Sequence, residues 1–346
     1  ASLEEYTVVI VRPVDVNEAP FWSSALVPCA GFSSTYLACV SVPENSATGV
    51  QVGGSALPSA TEPDSLWSPS QFLSYALAST NNVAGSSPIF SVGTSSRLVT
   101  VAQSVLNFEG TKTYELTVTV TDGVASGPFT PLTTTSRIAV NVTDVNESPY
   151  WPAGGLSLTV RERTVAGDSP PGTVVGTVTA LDPDTAGLSW STLSYSIVGG
   201  DALALPLFAI TNAAAGTITT TSLANTSTLN FENAKNTFVV TVRATDGGSL
   251  FADANVTISL LDVNEPPTIS APFNRSVSEN VPGPANAGAV VDFFDEDFGQ
   301  KANFVISGGN GSTLFRVDSC SGQVTLKPSV TLDYEQAQRY VVMLRV

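Results

Sequence analysis

Apolar and polar residues alternate along several short stretches of the chain. Tyr114, Leu116, Val118 and Val120 are interleaved with Glu115, Thr117 and Thr119. Phe238, Val240, Val242 and Ala244 repeat the pattern, as do Tyr340, Val342, Leu344 and Val346, and Ile138, Val140 and Val142. Alternation at period two, carried by β-branched and aromatic residues, predicts half-buried strands. Residues 6–11 read as another strand. No stretch holds a helical period over three turns, and Gly, Pro, Asn and Asp punctuate the apolar runs. Several short strands in each stretch of roughly 110 residues predict an all-β chain of β-sandwiches.

The alternating segments recur in a fixed frame. The string Asp-Val-Asn-Glu, followed by one residue and a proline, occurs at 15–20, 144–149 and 262–267. Four other signals keep step with it. An acid opens each module: Glu44, Glu162 and Glu279. Paired acids follow at Glu62/Asp64, Asp182/Asp184 and Asp295/Asp297. Next come Leu106-Asn-Phe-Glu109, Leu229-Asn-Phe-Glu232 and Leu332-Asp-Tyr-Glu335, and then Asp122-Gly and Asp246-Gly. Such a period marks repeated modules. The division expected is 1–20 as the last strand and linker of a preceding repeat, then repeats at 21–149, 150–267 and 268–346, the final one short of a strand. The first whole repeat carries an insertion ahead of Glu44 that contains Cys29 and Cys39.

Composition narrows the function. Asp and Glu total 30 against 14 Lys and Arg, a net charge of −16. Nucleic acid and anionic membranes need basic patches, so neither is an expected partner. Histidine is absent, which removes the commonest general base and zinc ligand. Acidic pairs alone could serve a glycosidase, but here they recur with an oxygen-rich string that ends in proline at the domain period and so reads as a metal-binding hinge between modules, and no enzyme is expected. Cys29 and Cys39 are placed to close a small loop as a disulfide in an oxidising compartment. Cys320 stands alone, and no Cys-x-x-Cys pair suggests zinc. Sequons begin at Asn141, Asn146, Asn225, Asn255, Asn274 and Asn310. Asn146 lies in a crowded hinge and is a poor acceptor, which leaves the other five as glycan candidates. No run of about 18 apolar residues marks a membrane span. The chain lacks a starting Met and a signal peptide, so it reads as a processed product or a slice of a longer extracellular protein.

In order and spacing, these strings resemble the cadherin repeat family over essentially the whole chain. The resemblance implies tandem seven-stranded Greek-key β-sandwiches arranged end to end as a rod, with calcium at each junction. The chemistry agrees, since Ca²⁺ takes about six to eight oxygen ligands. At the middle junction the implied ligands are Glu44, Glu109, Asp144, Asn146, Glu147, Asp182, Asp184 and Asp246. At the next they are Glu162, Glu232, Asp262, Asn264, Glu265, Asp295 and Asp297. At the first they are Asp15, Asn17, Glu18, Glu62, Asp64 and Asp122. Asn107 and Asn230 stand where the family has Asp, and would offer a carbonyl ligand with no charge. Trp22 and Trp151, just after linker prolines, are read as packing at the domain tops.

The function implied is that of an extracellular or cell-surface structural and adhesive protein, stiffened by calcium. Its partners would be further copies of itself or other surface proteins, with filament assembly by strand addition between residues 6–11 and 340–346 of successive copies as a narrower form. The alternative is a carbohydrate-binding or accessory repeat region, with Trp67, Tyr150 and Trp190 stacking on glycans.

Overall fold

The computed structural model describes residues 4–14, 16–64, 72–80, 88–123, 130–164, 167–184, 189–270, 273–297 and 299–346. Asp15 and Trp67 lie outside the described residues. Every regular element among those described is a β-strand. The chain falls into two compact units. One comprises Ala1–Ser148, Asp182–Thr192 and Asp246–Leu250; the other comprises Pro149–Leu181, Leu193–Thr245 and Phe251–Val346.

The first unit is built on a four-stranded sheet. Ala38–Pro43 pairs in parallel with Thr133–Thr143, which pairs antiparallel with Thr113–Thr121, and that strand with Ser74–Thr80. Shorter pairs, Phe90–Val92 with Val99–Val101 and Phe21–Trp22 with Ala60–Thr61, complete the sandwich. Tyr114, Leu116, Val118 and Val120 all point into one core with Phe90, Leu106, Ile138 and Val142. Thus the period-two pattern chose the buried face correctly. One residue breaks the alternation: Ala139 is fully buried although it faces away from that core. The cause is the insertion. The hairpin Val27–Pro28/Thr35–Tyr36 lies over this outer face, and Cys29, Phe32 and Tyr36 pack on Ala139. A Cys29–Cys39 disulfide ties the hairpin to the strand at the edge of the sheet. Tyr36 donates to Glu115 at 2.7 Å, and Arg137 bridges Glu115 and lies over the Tyr36 ring.

The second unit repeats the plan. Leu156–Arg161 pairs in parallel with Phe251–Leu261, followed by Thr237–Thr245 and Ser194–Gly200, both antiparallel. Val174–Thr177, Thr217–Thr220 and Phe208–Asn212 form the facing sheet. Phe238, Val240, Val242 and Ala244 fill the core between them. The top of each sandwich is closed the same way. Trp22 sits 5.9 Å from Tyr75 and Trp151 sits 5.9 Å from Tyr195, and each Tyr hydroxyl accepts a backbone N–H, from Ala60 and Ala180. Both tryptophans are therefore packing residues. A third core gathers Phe304, Phe315, Leu326 and Leu332 from residues 268–346, with Tyr340, Val342, Leu344 and Val346 packed against it.

Two of the alternating segments are not strands along their whole length in this structure. Residues 6–11 form no strand; Tyr6, Val8, Val9, Ile10 and Val11 are 76–86% exposed. Within 340–346 only Met343–Arg345 is strand, paired to Val305–Gly308. Alternation specifies which face of a strand turns inward, but a ladder also needs a neighbouring strand to hydrogen-bond. Residues 6–11 have no such neighbour among the described residues, and 340–346 has one on one side only.

Candidate metal centres

Each centre is assembled from the ends of strands and the turns after them. Its first component is a buried glutamate that acts as a staple. Glu44 follows the strand Ala38–Pro43 and is 2% exposed. One oxygen accepts the Phe108 N–H at 2.8 Å and the other the Val145 N–H at 2.9 Å. Glu162 does the same with Phe231 and Val263, at 2.8 Å each. One carboxylate thus holds the Leu-Asn-Phe-Glu turn and the Asp-Val-Asn-Glu linker together, and brings Glu109 and Asp144, or Glu232 and Asp262, close by. Charged acceptors of backbone N–H groups form the stronger class of hydrogen bond.

The second component is the acidic pair. The backbone N–H of Asp184 donates to Asp182 at 3.0 Å, and Asp184 then accepts from the Glu147 N–H at 3.2 Å. Asp64 bonds Glu62 and Glu18 in the same way, at 3.1 and 2.8 Å, and Asp297 bonds Asp295 and Glu265 at 3.1 and 2.9 Å. The third component is the Asp-Gly turn. Asp246 accepts from the Leu250 N–H at 2.8 Å and from Asn146 Nδ2 at 3.0 Å. Asp122 accepts from the Leu132 N–H at 2.7 Å and from Asn17 Nδ2 at 3.2 Å. Glycine is required after Asp246. A Cβ at Gly248 would lie 2.6 Å from the Asn146 amide, and one at Gly247 would collide with the Ser189 carbonyl.

Carboxylates therefore converge. One oxygen each from Glu44, Glu109 and Asp144 lies within 4.8 Å of the others, as do oxygens of Asp182, Asp184 and Asp246. Glu162, Glu232 and Glu265 form a third group, and Glu232, Asp262 and Asp297 a fourth. At the first linker Asn17, Glu18, Glu62, Asp64 and Asp122 share the bonding pattern, but among the described residues no three ligand oxygens gather as closely. Asp295 and Glu147 act as bonded neighbours of these groups, and neither is in one of them.

Gathering the acids is costly for their charged forms. Burial, then Glu109, Asp184 and Glu44, raises the Asp144 carboxyl above its usual range. Burial, with Asp184 and Asp246 alongside, raises Asp182 to about 6. Glu265 is pushed to about 7 by burial and then by Glu162, Asp297, Glu232 and Glu296. Glu232 and Glu62 are raised for the same reasons, burial first. Both oxygens of Asp144, together with Asn146 Oδ1, Glu147 Oε2, Asp182 Oδ2 and Asp184 Oδ1, are buried without a hydrogen-bond donor. Glu265 Oε2 and Glu62 Oε2 share that condition. Buried acceptors ordinarily find a donor. An all-oxygen, strongly negative set with its lone pairs turned inward suits a hard divalent cation.

A further cluster, Glu279, Asp333 and Glu335, brings three oxygens equally close and is not among the ligands that the family resemblance implies. Its signal was present, since these residues are the third copies of the opening acid and of the Leu-x-aromatic-Glu string. Asn107 and Asn230 also hold the turns they lie in. Each turns its side-chain oxygen to a backbone N–H three residues on, that of Gly110 or Asn233, and shapes the turn. Of the sequons, Asn225, Asn255, Asn274 and Asn310 are exposed, while Asn141 is half-buried beside Ala30 and Asn146 is engaged with Asp246.

Comparison with known proteins gives a consistent result. The cadherin domain model matches residues 39–143 and 161–261. Cadherin-23 of Mus musculus is 30% identical over 276 residues, covering 73% of this chain and 8% of that protein. Protocadherin-17 of Homo sapiens is 31% identical over 244 residues, covering 66% of this chain and 20% of that protein. The chain therefore spans a small part of the relatives it matches. Among solved structures, mouse Cadherin-23 EC22-24 superposes with a TM-score of 0.57 at 24% identity, covering 91% of this chain and 90% of that one. The Protocadherin GammaB4 extracellular domain gives 0.60 at 23% identity over 94% of this chain and 46% of that one. With its repeated sandwiches, stapled linkers and matched domain models, the chain belongs to the cadherin family.

Proposed function

We propose that this chain is an extracellular, non-catalytic adhesive or structural protein whose repeats, at 21–149, 150–267 and 268–346, are rigidified by calcium at the linkers. The observation that carries this reading is the set of buried carboxylate oxygens without donors at Asp144, Glu147, Asp182 and Asp184. Calcium suits them better than magnesium. The ligands come from several turns and include an amide oxygen, and the mix favours a large, irregular coordination shell over a tight octahedron. Glu44, Glu109, Asp144, Asn146, Glu147, Asp182, Asp184 and Asp246 serve the middle linker. Glu162, Glu232, Asp262, Asn264, Glu265, Asp295 and Asp297 serve the next. Asp15, Asn17, Glu18, Glu62, Asp64 and Asp122 serve the first. The partners proposed are further copies of the chain or other cell-surface proteins, and the exposed sequons at Asn225, Asn255, Asn274 and Asn310 are proposed to carry glycans. Carbohydrate binding draws no support from Trp190, which is half-buried beside the Asp-Gly turn and receives the Gly247 N–H on its carbonyl.

Small-angle scattering of the chain in calcium and in chelator tests the reading. A single narrow conformational distribution is expected with calcium and a broad one without. Indistinguishable curves, together with no heat of calcium binding, would sink it.

A further inference from the structure

The middle linker has the Asp246 carboxylate, for which the 262–267 set has no counterpart among the described residues, and the two linkers also hold the asparagine of the string differently. At the middle linker the Asn146 amide donates through Nδ2 to Asp246, and its Oδ1 is buried with no donor. At the 262–267 linker the same position in the string is Asn264. There the amide is already engaged through its oxygen: Gln300 Nε2 donates to Asn264 Oδ1 at 2.7 Å, while Asn264 Nδ2 reaches only the Glu265 carbonyl, at 3.4 Å. Gln300 follows Gly299, which takes φ +85°, a left-handed turn two residues after Asp297. That turn returns the chain toward the linker.

We propose that Gln300 is an affinity-setting residue that holds the Asn264 side-chain oxygen and so weakens cation binding at the 262–267 linker. The proposal rests on the calcium reading above. A cation that takes Asn264 Oδ1 as a ligand must first displace the Gln300 N–H. Both side chains are exposed, so water readily replaces the broken bond. The net effect is that of one ordinary hydrogen bond, on the order of two- to fivefold in affinity. The linkers would then fill at different calcium concentrations, the middle one first. Gln300 acts through Asn264, to which its side-chain amide donates.

The test follows calcium binding at each linker separately in the full chain. The backbone N–H of Glu147 bonds Asp184 and that of Glu265 bonds Asp297, so their amide resonances in ¹⁵N–¹H correlation spectra report the two linkers. The Glu265 midpoint should lie at higher calcium than the Glu147 midpoint in the unmodified chain. Gln300→Ala should lower the Glu265 midpoint about two- to fivefold and leave the Glu147 midpoint in place. Gln300→Met, which keeps the side-chain length and lacks a donor, should give the same shift. A Glu265 midpoint that is unchanged or raised in both variants overturns the role of Gln300 while leaving calcium binding intact. If neither amide responds to calcium, the functional reading fails and this inference fails with it.

Discussion

At the residue scale, the buried glutamates explain why the acidic strings recur where they do. Glu44 and Glu162 are structural acceptors, whatever ligand role is proposed for them, because each closes two turns through its own carboxylate. The acids around them are another matter, since their charges oppose one another. Asp182 is raised from 3.8 to about 6 and Glu265 from 4.5 to about 7. A carboxyl raised on folding binds more protons in the folded than in the unfolded state, so stability falls as pH rises through that window. Without calcium, the chain should therefore melt at a higher temperature near pH 5 than near pH 7.5. With saturating calcium the order should reverse, because protons then compete with the ion for the same oxygens. Parallel thermal melts in chelator and in calcium would check both signs. A metal-free melting temperature that climbs with pH across this range would contradict the convergence of these acids.

At the scale of elements, the insertion of the first sandwich has no counterpart among the described residues of the second. Its hairpin covers Ala139, whereas Thr257, also outward-facing on the matching strand Phe251–Leu261, is only half-buried. The cover is held by the Cys29–Cys39 link, the Tyr36–Glu115 hydrogen bond and the stacked Arg137. Closing a loop with a sequence separation of 10 stabilises the hairpin by about 2–3 kcal/mol through chain entropy. Replacing both cysteines with serine should release hydrogen-exchange protection over 27–36. The strands Thr113–Thr121 and Thr133–Thr143 should keep theirs, because their core lies on the opposite face. Loss of protection in those strands would show that the hairpin is integral to the sandwich. Alternation in the sequence marked the core faces of these strands; it could not show that Ala139 would be buried on the other side, because that burial comes from a segment about a hundred residues earlier.

For the whole molecule, the carboxylates gather linker by linker, so loss of the proposed metal is expected to be a local event. Asp144 meets Glu44 and Glu109 at its own linker, while Glu162, Glu232, Asp262 and Asp297 belong to another. Asp144→Ala should therefore abolish the tight calcium response at the Glu147 amide and leave that at Glu265 intact. The melting of the core around Phe304 and Leu326 should not change. Sites with no shared partners behave additively, and a global drop in stability would reveal coupling that these contacts do not show. The family relationship rests on domain models matching two of the repeats, and it agrees with the stapling of each linker by its own glutamate.

Much of this was legible in the sequence because it depends on local spacing. Period-two alternation names the inward face of a strand, and acids repeating at domain intervals name the residues that a linker can gather. Tertiary structure decided the rest. It showed that residues 6–11 lack a neighbour to pair with among the described residues, and that Asn107 and Asn230 shape turns. It also placed a disulfide-tied hairpin over Ala139 and turned Gln300 toward Asn264. Each of these depends on which distant backbone supplies a hydrogen bond or a covering surface, and no pattern within one segment encodes that.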